Sequence, residues 1–163
     1  MRSYKKTEYW RWYGLSALII AVDQITKYWA LGKLIPYQPQ PVFPMFNLTL
    51  MFNKGAAWSF LSHWGNAATW LFSGIAAIIS VVLIIWIYKL SSGKRWLAFG
   101  LALVLGGALS NLIDRQLHGY VVDFFDFYYK NWHFAAFNIA DAAITVGAVV
   151  WFVEIVFSAV KPQ

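Results

Sequence analysis

Four long apolar runs constrain the fold of this chain more than any other feature of its sequence. They lie at about 12–34, 67–88, 96–115 and 138–160. A run of about 20 apolar residues is long enough to cross the roughly 30 Å hydrocarbon core of a bilayer. With 60% hydrophobic and 12% charged residues, the chain also departs from soluble domains, which are about 45–50% apolar and 25% charged. The sequence therefore predicts an all-α polytopic membrane protein with four transmembrane helices.

The basic residues set the orientation of these spans. They precede the first run, separate the second from the third and follow the fourth: Arg2, Lys5, Lys6, Arg11, Lys89, Lys94, Arg95 and Lys161. Because cytoplasmic flanks carry an excess of Lys and Arg, both termini are expected to be cytoplasmic. The same distribution explains the net charge of +6 without a nucleic-acid partner. No A-x-A-like cleavage site follows the first run, which predicts a retained span.

Two loops, at about 35–66 and 116–137, then face outward. The first begins with the proline cluster IPYQPQPVFP, which cannot be helical, and continues with MFNLTLMFN, which is typical of one or two strands. We expect a small periplasmic β-sheet there. The second contains HGYVVDFFDFYYKNWHF and is expected to be an interfacial loop or short helix. The chain shows no internal repeat, which favours a single domain over 1–163. It contains no cysteine, which excludes disulfides and thiolate chemistry.

Ionisable groups inside apolar spans are costly and usually mark a function or a specific pairing. Asp23 and Lys27 in DQITK are four residues apart and so share one face of a helix, either as a structural ion pair or to orient another group. Asn53 precedes Lys54 and Gly55, a pattern that fits either a plain turn or a close backbone approach.

The third run ends in LGGALSNLIDRQ, which combines small and polar residues. Its small side chains, including Gly107 and Ser110, would let another helix approach closely. Asn111 and Asp114 share one helix face near the outward end. Arg115 beside them either binds a carboxylate or phosphate, or reaches out to the lipid headgroups.

Four acids are expected at the outward ends of spans three and four: Asp114, Asp123, Asp126 and Asp141. Two neighbouring carboxylates resist ionising together, so one can activate water while the other donates a proton. Such a pair can hydrolyse a peptide without a metal or a covalent intermediate. If Asp114 pairs with Arg115 and Asp126 is solvated, Asp123 and Asp141 remain, but the chemistry alone leaves the choice open.

Two other function classes fit part of this pattern. A proton-coupled transporter would also keep acids in its spans, but it usually has spans broken by Gly or Pro in paired positions, and here all prolines except Pro162 lie in one loop. A serine-type intramembrane protease would use Ser59 or Ser110 with His118 or His133, yet no motif brings such a pair into contact.

Five motifs in order make the chain resemble the bacterial lipoprotein signal peptidases, or signal peptidase II family. They are DQITK, FNKGAAWSF, GGALSNLIDR, VVDFFDF and FNIADAAITVG, and the resemblance runs from about residue 14 to 155. It implies an intramembrane aspartyl endopeptidase that cleaves diacylglyceryl-modified prolipoproteins before the lipidated cysteine. One departure is Ser110, where the family usually has glycine, which affects the expected local packing but not the activity.

The resemblance assigns the catalytic pair to Asp123 and Asp141. It implies substrate-binding or supporting roles for Asp23, Lys27, Asn53, Gly55, Gly107, Asn111, Asp114, Arg115, Asn138 and Ala140. No metal or cofactor is implied. The expected partners are the prolipoprotein substrate and membrane lipids, with cyclic peptides of the globomycin type as inhibitors. The expected protein is a monomer in the bacterial cytoplasmic membrane, with its active site near the periplasmic face.

Overall fold

Helix α3 is the centre of the molecule, and the other three helices pack around it. In this computed structural model, which describes residues 9–54, 66–91 and 93–160, the helices are α1 (Tyr9–Lys33), α2 (Asn66–Lys89), α3 (Arg95–His118) and α4 (Ile139–Val160). Most of the apolar part of α3 is buried, whereas most of α2 and α4 is exposed although both are strongly apolar. Apolar helices that expose most of their surface are suited to lipid rather than to water.

Three of the described helices are long and apolar enough to cross a membrane. They are Ala67–Lys89, Arg95–His118 and Ile139–Phe157. Helix α1, which carries Arg11, Asp23, Lys27 and Lys33 along its 25 residues, is not among them. By length and composition, three of the four expected apolar spans are therefore confirmed.

Small residues let the helices approach α3 closely. A methyl group added at Gly100 would lie 2.8 Å from the carbonyl oxygen of Gly147, so α3 and α4 touch backbone to backbone. A methyl group at Gly106 would lie 2.8 Å from the carbonyl oxygen of Ser16 on α1. Close backbone approach through small residues is a common way to associate helices in lipid, where hydrophobic burial gives little driving force.

A sheet of four antiparallel strands packs against the C-terminal ends of α1 and α3. The strands are β1 (Gln40–Phe43), β2 (Phe46–Asn53), β3 (Val121–Tyr129) and β4 (Trp132–His133), and they lie in that spatial order. The prediction of a small sheet from 35–66 is confirmed. The expectation of an interfacial loop or short helix at 116–137 is wrong, because α3 continues to His118 and β3 then pairs with β2. The β-branched and aromatic residues of VVDFFDF are typical of such a strand, but its partner strand lies some 70 residues earlier.

The sheet is anchored to the helices by an apolar cluster. Leu50, Val122 and Phe124 pack against Ala30 and Leu34 at the end of α1. Neighbouring side chains of a strand point to opposite faces, so Asp123 lies on the face opposite Val122 and Phe124. The packing of β3 on α1 therefore determines where Asp123 points.

The close contact of α3 with α4 predicts that a methyl group at position 147 destabilises the fold. Overpacking of a close contact typically costs about 1–3 kcal/mol, so Gly147→Ala should lower the free energy of unfolding by about that amount in detergent micelles. Gly74→Ala on α2 is the matched control, because nothing lies within 4 Å of the added methyl group. If both variants unfold like the wild type, the two helices do not depend on this contact.

Candidate active site

A buried lysine is the centre of the polar interior. Lys27 Nζ lies 2.7 Å from Asp23 Oδ2, 2.8 Å from Asp114 Oδ2 and 2.8 Å from Asn111 Oδ1. The predicted pairing of Asp23 with Lys27 is thus present, but Asp114 shares the same ammonium group. The lysine side chain is only 2% exposed. Its three N–H bonds meet three oxygens, which is the condition under which a buried charge is tolerated.

Asp23 links this lysine to the start of α4. Its Oδ1 accepts the backbone N–H of Ala140 at 2.8 Å, and Ala140 directly precedes Asp141. A methyl group at Gly107 of α3 would overlap the carbonyl oxygen of Ala140, so glycine is required for this approach. The first turn of α4 is therefore held from two sides, by α1 and by α3.

Asp114 links the same lysine to the start of β3. Its Oδ2 accepts the backbone N–H of Val122 at 3.0 Å, and Val122 directly precedes Asp123. Between the two elements, Gly119 adopts φ 76° and donates its N–H to the carbonyl oxygen of Arg115 at 3.1 Å. A glycine in this left-handed conformation ends the helix and turns the chain into the strand.

Gln24 and Ser110 complete the network, and sequence reasoning did not assign them this role. Ser110 Oγ donates to Asp23 Oδ2 at 2.7 Å, and Gln24 Nε2 donates to Asp114 Oδ1 at 2.7 Å and to Ser110 Oγ at 3.0 Å. One cation faces two carboxylates, so these neutral donors stabilise the excess negative charge. In the sequence, the position of Gln24 next to Asp23 in DQITK is the feature that could have indicated this role.

Asn138 and Asp141 form a reciprocal cap at the N-terminus of α4. The backbone N–H of Asp141 donates to Asn138 Oδ1 at 2.9 Å, and the backbone N–H of Asn138 donates to Asp141 Oδ2 at 3.2 Å. This is the arrangement of a capping box, with Asp141 in the place usually held by Glu or Gln. Asp141 at the mouth of an apolar helix thus has a structural explanation in addition to any chemical one.

The side chain of Asn138 also joins the two candidate acids. Its Nδ2 donates to Asp123 Oδ1 at 2.7 Å, while its Oδ1 accepts from Asp141. Asn53 Nδ2 donates to Asp123 Oδ2 at 3.0 Å, and Asn111 Nδ2 donates to Asp141 Oδ1 at 2.8 Å. The structure therefore brings Asp123 and Asp141 into one polar cluster, each bound by amide donors.

Asp123 is a carboxyl group whose ionisation is resisted by its surroundings. Burial, and next to it the negative charge of Asp141, raises its pKa from 3.8 to about 7, although bonds from Asn53 and Asn138 and the charge of Lys27 oppose the rise. The residue is 1% exposed. A carboxyl group with a pKa near neutrality can hold a proton or give it up under physiological conditions.

Arg115 lies beside this cluster. Its guanidinium group donates from Nη1 to the carbonyl oxygen of Asn111 at 3.3 Å and lies 5.7 Å from the centroid of the Phe72 ring. Among the described contacts it forms no ion pair with Asp114, which binds Lys27 instead of the neighbouring arginine. Its buried Nε has no hydrogen-bond partner among the residues that the structure describes.

The structure corrects one interpretation of the sequence, and two candidate residues lie outside the part of the chain that it describes. The reading in which Asp126 is solvated is wrong, because Asp126 is only 4% exposed and accepts a hydrogen bond from Thr49 Oγ1. Gly55 and Ser59 lie outside the described residues. The serine-type alternative is not supported at Ser110, whose hydroxyl donates to Asp23 rather than to a histidine.

Comparisons with known proteins agree with the motifs. Residues 15–157 match the family model of signal peptidase II. The chain is 49% identical to the lipoprotein signal peptidase of Acinetobacter baylyi over 90% of this chain and 82% of that protein, and 50% identical to that of Teredinibacter turnerae over 86% and 85%.

The fold has a match among solved structures. One, described as a bacterial membrane enzyme, has a TM-score of 0.86 and 29% sequence identity, covering 99% of this chain and 97% of that one. A second bacterial membrane enzyme has a TM-score of 0.79 with 30% identity over 99% and 100%. These matches and the apolar helices identify a membrane protein. The chain belongs to the lipoprotein signal peptidase (signal peptidase II) family, a family of peptidases.

Proposed function

We propose that this protein is an intramembrane aspartyl endopeptidase that removes the signal peptide of diacylglyceryl-modified prolipoproteins before the lipidated cysteine. Asp123 and Asp141 are the catalytic pair. The observation that carries this proposal is the bridge made by Asn138, which contacts both carboxyl groups. Two acids held in one cluster, with the pKa of Asp123 raised to about 7, are what a two-carboxylate hydrolysis requires.

We assign the ionised form to Asp141 and the protonated form to Asp123. Asn111 Oδ1 accepts from Lys27, so its amide nitrogen must face Asp141 Oδ1. Asp141 Oδ2 accepts a backbone N–H. Both oxygens of Asp141 therefore face obligate donors, which favours the ionised form. Asp123, with a pKa of about 7, retains a proton over much of the neutral range.

The proposed reaction uses these two states in sequence. Ionised Asp141 accepts a proton from a water molecule, whose oxygen attacks the carbonyl carbon of the scissile peptide bond. Asp123 donates its proton to the carbonyl oxygen, which gives a neutral tetrahedral diol. When the carbon–nitrogen bond breaks, the proton now on Asp141 passes to the leaving amine and a diol hydroxyl returns its proton to Asp123.

Arg115 is proposed to bind the substrate backbone. Its Nε is buried without a partner among the described residues, and such a donor is costly unless an acceptor arrives. A carbonyl oxygen of an extended peptide supplies that acceptor. Asn53, which donates to Asp123, would line the same approach.

Helix α1 is proposed as the fourth span. Its 25 residues reach roughly 37 Å at 1.5 Å per residue, which exceeds the hydrocarbon thickness. Asp23 and Lys27 are buried against α3, while the exposed side chains Leu18 and Ile25 are apolar. With four spans, both termini are cytoplasmic and the sheet lies on the periplasmic side of the bacterial inner membrane. We also propose that the protein is a monomer and that cyclic peptides of the globomycin type inhibit it.

Asp141→Asn and Asp123→Asn should each reduce cleavage at least about 100-fold, because general acid–base catalysis contributes about 10²–10⁴-fold. The assay is incubation of the purified protein with a diacylglyceryl-modified prolipoprotein, followed by the mobility shift on a gel. Glu154→Gln is the matched control, since Glu154 lies on the same helix and pairs with Lys94 at 3.7 Å. Cleavage by Asp141→Asn at the wild-type rate would overturn the proposed mechanism.

The pKa of Asp123 predicts the alkaline side of the pH profile. Because that pKa is about 7 and the reaction needs the protonated acid, the cleavage rate should fall about tenfold per pH unit above about pH 7. Asp123 keeps its proton to a higher pH in the folded state than in the unfolded chain. Folding therefore becomes less favourable as the pH rises from about 4 to about 7. The rate of cleavage and the unfolding midpoint, both measured from pH 5 to 9, check the two effects. A rate that keeps rising to pH 9 would exclude Asp123 as the proton donor.

A further inference from the structure

A second polar cluster lies on the sheet, away from the proposed catalytic pair. Asp126 of β3 accepts a hydrogen bond from Thr49 Oγ1 at 2.8 Å, and Asn47 Nδ2 lies 3.5 Å from the same carboxylate oxygen. Its other oxygen lies 2.8 Å from His133 Nδ1 on β4. We call these four residues the β-sheet staple, since they connect β2, β3 and β4.

The β-sheet staple holds Asp126 in its ionised form. Burial raises the pKa of this carboxyl group, but bonds from His133, Thr49 and Asn47 outweigh it and hold the pKa below its usual value. The residue is 4% exposed, whereas the side chain of His133 is 49% exposed. The negative member of the pair is thus fixed, and the other member is accessible to solvent.

The β-sheet staple spans the hairpin that separates the two proposed catalytic acids along the chain. Asp123 lies on β3, and the chain returns through β4 to Asn138, which contacts both acids. Since Asp123 and Asp126 are three residues apart on one strand, their side chains lie on opposite faces. The staple therefore acts on the hairpin without touching the reacting groups.

Few backbone bonds close this hairpin. β4 has only two residues, which pair with Tyr128 and Tyr129. Beyond them, Phe134 N–H donates to the Phe127 carbonyl at 2.8 Å and Phe137 N–H donates to the Phe125 carbonyl at 3.1 Å. The N–H groups of Phe124 and Phe125 both donate to the Phe137 carbonyl, at 3.1 and 2.9 Å. A short strand pair of this kind is marginal alone and depends on side-chain contacts.

We propose that the Asp126–His133 pair is a pH-dependent positioning device, in which protonated His133 tightens the hairpin that holds Asp123 against Asn138. A protonated imidazole always donates through Nδ1 and adds a charge attraction, whereas a neutral ring donates there only in one tautomer. Histidine is the side chain type that changes charge between about pH 5 and 8. The effect on catalysis rests on the proposed function, but the effect on the hairpin does not.

The groups around the pair are compatible with this role. On β3, the Asp126 carboxylate and the Tyr128 ring face His133, and that ring stacks on the imidazole at 5.5 Å between centroids. On β2, the facing groups are the neutral side chains of Asn47 and Thr49. In the turn, Lys130 lies 5.5 Å over the Tyr129 ring. Among the described contacts, the acid that faces the imidazole is Asp126.

Hydrogen exchange of the backbone over residues 127–137 tests the device directly. In the wild type, protection corrected for the intrinsic exchange rate should be about two- to fivefold greater at pH 6 than at pH 8, the range expected for a half-exposed ion pair. In His133→Gln, which keeps a donor but cannot gain a charge, this difference should vanish. His118→Gln is the matched control, because His118 stacks on Tyr120 at the end of α3, and it should keep the wild-type difference.

Kinetics give the second readout. His133→Gln should lower kcat about two- to fivefold at pH 6 and leave KM unchanged, while at pH 8 it should match the wild type. A pH-independent loss of kcat would show a merely structural histidine and would overturn the proposal. Equal wild-type protection at both pH values, or a difference that persists in His133→Gln, would also overturn it. The exchange measurement requires no peptidase activity, so its outcome is separate from a failure of the proposed function.

Discussion

The buried ammonium group of Lys27 is the interaction on which the polar interior of this molecule depends. Burying a charge is tolerated only when all of its hydrogen bonds are made, and here the three N–H bonds meet Asp23, Asp114 and Asn111. The two carboxylates in turn need the cation and the neutral donors around them. Removing one partner therefore leaves an uncompensated charge in an apolar interior, which makes the network cooperative rather than a sum of separate bonds.

This network explains why two acids from different elements arrive together. Asp23 binds the backbone one residue before Asp141, and Asp114 binds the backbone one residue before Asp123. The carboxyl groups are thus positioned through their neighbours in the chain, which leaves their own oxygens to Asn138, Asn111 and Asn53. Positioning of reacting groups by supporting bonds reduces the reorganisation needed during a reaction. The glycines where α1 and α4 cross α3 also support this positioning, because these hydrogen bonds form only when the helices are in close contact.

The sequence predicts the features that depend on local patterns. Apolar length predicts the helices, and the spacing of Asp23 and Lys27 predicts their contact. It does not predict features created by partners distant in the chain. Asp126 looks solvated until Thr49 and His133 are brought beside it, and β3 looks like an interfacial loop until β2 pairs with it. In the sequence, serine in place of glycine at position 110 indicates a change in packing. In the structure, the Ser110 hydroxyl on α3 donates a hydrogen bond to Asp23 on α1.

The free energy of unfolding of Lys27→Met in detergent micelles tests the central role of this lysine most directly. Methionine preserves the length of the side chain but removes the cation between Asp23 and Asp114, and breaking a buried ion pair costs about 3–5 kcal/mol. Lys33→Met, at the exposed end of the same helix, is the control and should change stability by less than about 0.5 kcal/mol. The account predicts a large loss for Lys27→Met alone. Equal stability of the two variants would contradict it.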